Sequence, residues 1–231
     1  MSNQVAINYL HLFLDRHQVR NFKKGEIIIF QGEAPRNAFI IKSGIVKAYN
    51  LSVDGDEKPV AFYDKDNVFP ASWVYGQSSS AVYYYEAFTP EVELYAIDKT
   101  EFLEFIKKRP ELLYYELEML LADQFGGSLR LNALQHSRAS DKLLYTLHYL
   151  ALVHGKNIDK SEVEIELDLT HQDFANLTGL TRETAATELS KLKKKKVIDY
   201  GKHQKYKLYM NKLNTLLNDQ FIADISKDIT S

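Results

Sequence analysis

No cysteine occurs in the 231 residues, which excludes a disulfide framework, a thiolate zinc site, an iron–sulfur cluster and a cysteine nucleophile. No run approaches the roughly 18 apolar residues that a membrane-crossing helix needs. The opening MSNQVAINYLHLFLDRHQ also lacks the basic-then-apolar layout of a secretory signal, so a cytoplasmic protein with no membrane partner is expected. Histidine is missing from Phe22 to Asp98, a gap that counts against a haem ligand and against the two-His-one-carboxylate centre of a small-barrel enzyme. Lys and Arg are missing between Asp66 and Asp98, so a phosphate buried there would lack a counter-charge, which is costly. Gly-x-Ser-x-Gly, His-Glu-x-x-His, a phosphate-binding glycine loop and a dinucleotide fingerprint are missing too. The seven histidines are scattered. No catalytic residue, no metal and no enzymatic activity are expected.

What is present is an ordinary globular composition, 45% hydrophobic and 26% charged with a formal net charge of −2, long enough for one large domain or two small ones. Ile7, Leu10, Phe13 and Leu14 share a helical face near the N-terminus. From Phe22 to about Asp98 the pattern changes to short apolar runs: Glu26–Phe30, Ala38–Ile41, Ile45–Asn50, Val60–Phe62, Ala81–Phe88 and Val92–Ile97. Gly25, Gly32, Gly44 and Asp54-Gly55-Asp56 mark turns between them, and six or more strands at this spacing indicate a barrel or jelly roll. A short helix over Lys99–Pro110 leads to a longer one. In the longer one Leu113, Leu117, Leu120, Gln124, Gly127, Leu131 and Leu134 follow the 3-and-4 spacing of a helix-pairing seam. Gly126 and Gly127 each cost about 1 kcal/mol relative to Ala inside a helix, which calls for close approach of a partner helix or a ligand. Ser137–Asp141 reads as a hinge, Lys142–Val153 as a helix and Ser161–Leu169 as a strand. A hairpin over Val197–Met210 turns at Gly201–Gln204, and Leu213, Leu216, Leu217 and Phe221 predict a terminal helix.

The stretch with the most local information is Leu169–Val197. Thr170 can cap a helix with Asp173 as its reciprocal partner, and Phe174 and Leu177 form that helix's apolar face. Gly179 suits the left-handed residue of a sharp reversal. Thr181 can cap a second helix, whose apolar positions are Ala185, Ala186, Leu189 and Leu192. Arg182, Glu183, Thr187 and Ser190 are left facing out. Between Thr181 and Lys212 there are ten Lys or Arg against three Asp or Glu, a local charge of +7. Arg pairs with guanine, Glu accepts from the cytosine amino group, and lysines neutralise phosphates. The stretch therefore suits the DNA major groove better than it suits a merely solvated charged face.

These residues resemble the helix-turn-helix of the cyclic-AMP-receptor and fumarate-nitrate-regulator family of bacterial transcription regulators, whose Ser/Thr-Arg-Glu-Thr step matches Thr181–Thr184. Lys24-Gly25-Glu26, Gln31-Gly32-Glu33 and Phe39–Gly44 resemble the opening of that family's cyclic-nucleotide-binding roll, so the likeness reaches both ends of the chain. The resemblance implies an α+β fold: a cyclic-nucleotide-binding-like β-roll (jelly roll) over residues 1–109, a dimerisation helix over 110–137 and a winged helix-turn-helix over 138–231. It implies double-stranded DNA, a second copy of the chain and RNA polymerase as partners. It also assigns Arg182, Glu183 and Thr187 to base edges, and Thr170, Gln172, Thr181, Thr184, Lys191 and Lys202 to the DNA backbone. Thr187 stands where the family often has Arg, which removes one guanine contact.

The family's nucleotide cassette needs a Gly-Glu step and an Arg-Ser step. Here the corresponding places hold Pro70-Ala71-Ser72 and Ser79–Ala81, so cyclic AMP is not expected. Haem and an iron–sulfur cluster are not expected either, and no cofactor is required. A small effector of another kind, apolar or neutral, would be held by Trp73, Tyr75, Ser78, Ser79 and Tyr84 with Gln124 and Ser128 of the long helix. The expected function is a homodimeric regulator on a palindromic operator. The alternatives are a ligand-binding roll without DNA binding and, further off, a cupin-type enzyme.

Overall fold

The computed structural model describes residues 2–201 and 205–217 and divides into two compact units, with the boundary between Asp123 and Gln124.

The first unit opens with helix α1 (Ser2–Leu14), then β1 (Val19–Lys23), β2 (Ile27–Ile29), β3 (Ala38–Ser43), β4 (Val46–Leu51), β5 (Glu57–Tyr63) and β6 (Val68–Phe69). A four-residue helix α2 (Ala71–Val74), β7 (Tyr84–Ala87), β8 (Glu91–Ile97) and α3 (Lys99–Lys107) follow, and α4 (Pro110–Gln135) begins in this unit and ends in the next. The strands form two antiparallel four-stranded sheets, ordered β1-β8-β3-β6 and β2-β7-β4-β5. Alternation along the strands decides what each residue buries against. Phe39, Ile41, Val46, Ala48, Tyr85, Ala87, Val92 and Leu94 fill the space between the sheets. On the other face of the first sheet, Ala38, Ile40, Tyr95 and Ile97 pack with Leu10, Phe102, Leu112 and Tyr115 of the helices. β3 is therefore buried on both faces and reads as an unbroken apolar run. At the turn between β3 and β4, Gly44 has φ +83°, and a Cβ there would lie 2.4 Å from the carbonyl oxygen of Glu91. Only glycine fits.

β1, β6 and α2 were not expected from the sequence. β1 is an edge strand with two half-buried residues, Val19 and Phe22, and it finds its partner β8 some seventy positions later. Asp98 caps α3 by accepting from the Thr100 and Glu101 amides at 2.8 and 3.1 Å.

The second unit carries the end of α4, then α5 (Ala139–His154), β9 (Gly155–Asn157), β10 (Glu162–Ile165), α6 (His171–Thr178), α7 (Arg182–Lys194), β11 (Ile198–Tyr200), β12 (Tyr206–Tyr209) and α8 (Met210–Leu217). Its antiparallel sheet runs β11-β12-β10-β9. The strand expected over Ser161–Leu169 stops at Ile165, although Leu167 and Leu169 stay buried. Leu147 and Leu150 of α5, Val163 and Ile165 of β10, Phe174 of α6, Leu189 of α7 and Leu213 of α8 are fully or nearly fully buried. Gly126 is explained within this unit: a Cβ on it would lie 3.2 Å from Val153 and 3.4 Å from the Tyr149 ring, both on α5. The neighbour that approaches it is thus a helix of its own chain. Gly127 faces open space.

Among the described residues no helix is long and apolar enough to cross a membrane, and no group of three or more His, Asp or Glu could hold a metal ion.

Candidate nucleic-acid interface

α6, the turn and α7 are fixed by short-range bonds. Thr170 Oγ1 accepts from the Asp173 amide at 3.1 Å, and the Thr170 amide donates to Asp173 Oδ2 at 2.7 Å, a complete reciprocal box. Gly179 closes α6 with φ +67° while its amide donates to the Ala175 carbonyl. Thr181 caps α7 by accepting from the Thr184 amide at 3.2 Å. Ala185, Leu189 and Leu192 then turn α7 inward, while Arg182, Glu183 and Thr187 are exposed. Glu183, Thr187, Ser190 and Lys194 fall at i, i+4, i+7 and i+11, one stripe along the outer face. Lys194 belongs to that stripe, and its spacing was enough to find it.

The residues read as backbone contacts are already engaged. The Thr170 hydroxyl lies 2.7 Å from Asp173, and the Thr181 and Thr184 hydroxyls are 2.9 Å apart. Gln172 donates to Asn176 at 2.8 Å, and Lys191 bonds Glu188 at 2.6 Å. Lys205 and Lys207 of the hairpin pair with Glu164 and Glu162 of β10, and the bond that Lys207 donates to Glu162 raises its ammonium's pKa. Among the described residues, Arg182, Lys194, Lys195 and Lys196 are exposed and make no ion pair. These unpaired cations lie at the two ends of α7. Lysines at a helix C-terminus also complement the helix dipole. Lys202 and Phe221 lie outside the described residues.

The hairpin β11–β12 is tied to both helices through Tyr200. The Lys193 ammonium bonds Asp199 at 2.9 Å, donates to the Tyr200 carbonyl and sits 4.4 Å above the Tyr200 ring. The bond from Lys193 holds the Asp199 carboxyl below its usual range. His171, the first residue of α6, meets the same ring edge-on at 5.9 Å, and Tyr206 packs between Tyr200 and Phe174. Sequence reasoning missed this junction, because nothing in the spacing of His171, Lys193 and Tyr200 foretells a shared neighbour.

Within the first unit, the residues read as an effector pocket do not share one site. Trp73 and Tyr75 pack with the helix-side cluster of the first unit, and Tyr75 donates to Glu116 at 2.5 Å. Tyr84 pairs with Tyr49 across β7 and β4, stacks on it at 5.3 Å and meets Phe30 edge-on at 6.2 Å. That is the face of the second sheet turned away from the interior, where Tyr85 points. Ser78 folds onto the Ser80 carbonyl at 2.6 Å, and Ser79 is exposed. Gln124 and Ser128 belong to the second unit, and the Ser128 hydroxyl donates to the Gln124 carbonyl within α4. The interior of the roll holds a run of rings instead: Phe39 to Phe69 at 5.6 Å, Phe69 to Tyr85 at 5.1 Å and Tyr63 to both at about 6 Å.

Comparison with known proteins matches residues 19–109 to the cyclic nucleotide-binding domain and residues 141–216 to the Crp-like helix-turn-helix domain. The chain is 30% identical over 187 residues to the global nitrogen regulator of Synechococcus elongatus, covering 78% of this chain and 81% of that protein. It is 24% identical over 201 residues to the cyclic AMP receptor protein of Thermus thermophilus, covering 85% and 87% respectively. Among solved structures, FixK2 from Bradyrhizobium japonicum superposes with a TM-score of 0.71 at 17% identity, over 87% of this chain and 96% of that one, a likeness of fold.

Proposed function

Since the chain belongs to the Crp/Fnr family of transcription regulators and carries its DNA-binding domain, we propose that it works as a cytoplasmic homodimer reading a palindromic operator and touching RNA polymerase from there. The observation that carries the dimer is the bare face of α4. Leu113, Leu117, Leu120 and Leu131 lie on the seam and are each 39–59% exposed, and Tyr114, Leu121 and Phe125 flank them. A run of large apolar side chains along one long helix is what a paired helix covers. Two reading heads then meet two half-sites about one turn, roughly 34–36 Å, apart. Arg182, Glu183 and Thr187 meet base edges. Gln172, Thr181 and Thr184 sit beside the backbone, with Lys191 released from Glu188 on contact.

The roll's residues fit a cyclic nucleotide poorly. No Lys or Arg lies between Asp66 and Asp98 to meet the phosphate, and stacked rings occupy the interior. The reading is therefore a regulator whose effector, where one acts, is something other than cyclic AMP.

The test combines light scattering of the purified chain with selection from a randomised duplex pool. The expected result is a dimer that enriches an inverted repeat. A monomer at micromolar concentration, or a single enriched half-site, overturns the homodimer. A pool with no enrichment favours a ligand-binding roll that has lost DNA recognition.

A further inference from the structure

Glu116 lies on α4 and is 7% exposed. Its carboxylate accepts from the Tyr75 hydroxyl at 2.5 Å, and Tyr75 is the residue that ends α2. Leu112 and Tyr115 of the same helix are buried in the helix-side cluster of the roll, which also holds Val74. The bond thus crosses the join between the roll and the long helix, under apolar cover.

The charged neighbours of this carboxylate are mostly of its own sign. Asp66 comes from the turn between β5 and β6, and Asp123 comes from α4 itself. The nearest basic group from α1 is His11, which is spent on Asp66 at 2.8 Å. Among the described residues no Lys or Arg forms an ion pair with Glu116; its partner is a neutral phenol. Burial raises the Glu116 carboxyl to about 7, against the lowering effect of the Tyr75 bond and with further upward pushes from Asp123 and Asp66. A buried carboxylate with no cation is costly, and relief comes from letting water reach it.

We propose that the protonation state of Glu116 sets how firmly α4 is seated against α2 of the roll, tight when the carboxyl is neutral and loosened when it is ionised. The long helix that carries the exposed seam then answers to proton concentration through a group at its own base. The sign follows from linkage. A carboxyl whose pKa is raised on seating favours the seated form at low pH, and that advantage fades as pH rises toward the raised value. His11 and Asp66 form an ion pair in the same neighbourhood, so the Glu116 contribution must be isolated by substitution.

The experiment is hydrogen exchange of the full chain between pH 5.5 and 8.5, corrected for intrinsic rates and followed in peptides covering 71–76 and 111–119. In the wild type, protection of both peptides is expected to fall by up to about tenfold from pH 6 to pH 8. In Glu116→Gln it stays level. In Tyr75→Phe, which removes a bond that favours the ionised form, the midpoint moves to higher pH. If Glu116→Gln keeps the wild-type profile, or the Tyr75→Phe midpoint stays or moves down, the proposal fails. Should the Gln variant not fold, the direction of the Tyr75→Phe shift decides. DNA does not enter the readout, and peptide 71–76, which carries no seam residue, separates a loss of seating from a loss of the dimer that peptide 111–119, with Leu113 and Leu117, would also report.

Discussion

The Lys191 ammonium lies 2.6 Å from the Glu188 carboxylate, three residues earlier on α7. An exposed pair of this kind is worth about 0–1 kcal/mol, little enough for a phosphate to displace the glutamate. Glu188→Gln is therefore expected to tighten binding to all DNA sequences severalfold and to leave the salt slope nearly unchanged, since Lys191 already reaches the phosphate in the wild type and only the competition from Glu188 is removed. Lys191→Ala is expected to weaken all sequences and flatten the slope by about one unit. Titrations of one duplex at several salt concentrations measure both. Equal slopes in the two variants would remove Lys191 from the backbone set.

Glu183 is exposed on the first turn of α7 with no ion pair among the described residues. Glu183→Ala is expected to cost about 1–3 kcal/mol of discrimination at one base pair of each half-site and to leave the salt slope nearly unchanged. Selection from a randomised pool, run in parallel with wild type, reads this directly. Unaltered preference at every position would rule Glu183 out as a base contact.

The capping box predicts a stability effect separable from DNA contact. Asp173→Ala removes the side chain that accepts from the Thr170 amide and hydroxyl and should destabilise the second unit by about 0.5–2 kcal/mol. Urea unfolding followed by Tyr fluorescence, without DNA, is the measurement. Thr170→Ala should cost a similar amount, and the double variant less than the sum, because the two groups serve one box.

His154 ends α5, is buried, and has its pKa depressed to about 4 by that burial. Its unfolded counterpart takes up a proton near 6.5. Between these values the unfolded chain binds more protons than the folded one, so stability is full above about pH 6.5 and is lost as pH falls toward 4, by roughly 3 kcal/mol across the window. Replacement by Gln should flatten that loss in urea midpoints taken at pH 7, 6 and 5.

Lys47 is 5% exposed on the outer face of the second sheet, between Glu57 and Glu86 and 4.6 Å from the Tyr49 ring. Lys47→Met strands Glu86 and is expected to cost about 3 kcal/mol or more. Adding Glu86→Gln should recover part of it, a coupling that a double-mutant cycle on thermal unfolding would show.

How much of this was legible in the sequence depended on the range of the interactions. The caps at Thr170 and Thr181, the reversal at Gly179 and the inward face of α7 all join residues within four positions of each other, and each was read from spacing alone. The turn glycines likewise marked the main strands of the roll. β1, β6, α2 and β9 were missed for a shared reason: each is two to five residues long, and the strands among them are held by partners distant in sequence or by few side chains. The grouping of the effector residues depended on parity. Tyr84 and Tyr85 are neighbours on one strand and so point to opposite faces, and composition could not tell which face was interior. The burial of Lys47 and Glu116 left no periodic trace, because each is a single polar residue whose neighbours come from other elements.

The meeting of Lys193, Asp199, His171 and Tyr200 makes the first helix of the reader, the recognition helix and the hairpin one solid gauge. A hinged hairpin could follow a groove of varying width; on the reading proposed above, a clamped one would touch the backbone at a set offset from the bases that α7 would read. Operators whose groove already has that width are bound without being reshaped, and the others must be deformed to fit. Part of this protein's preference would then fall on base pairs that no side chain reaches.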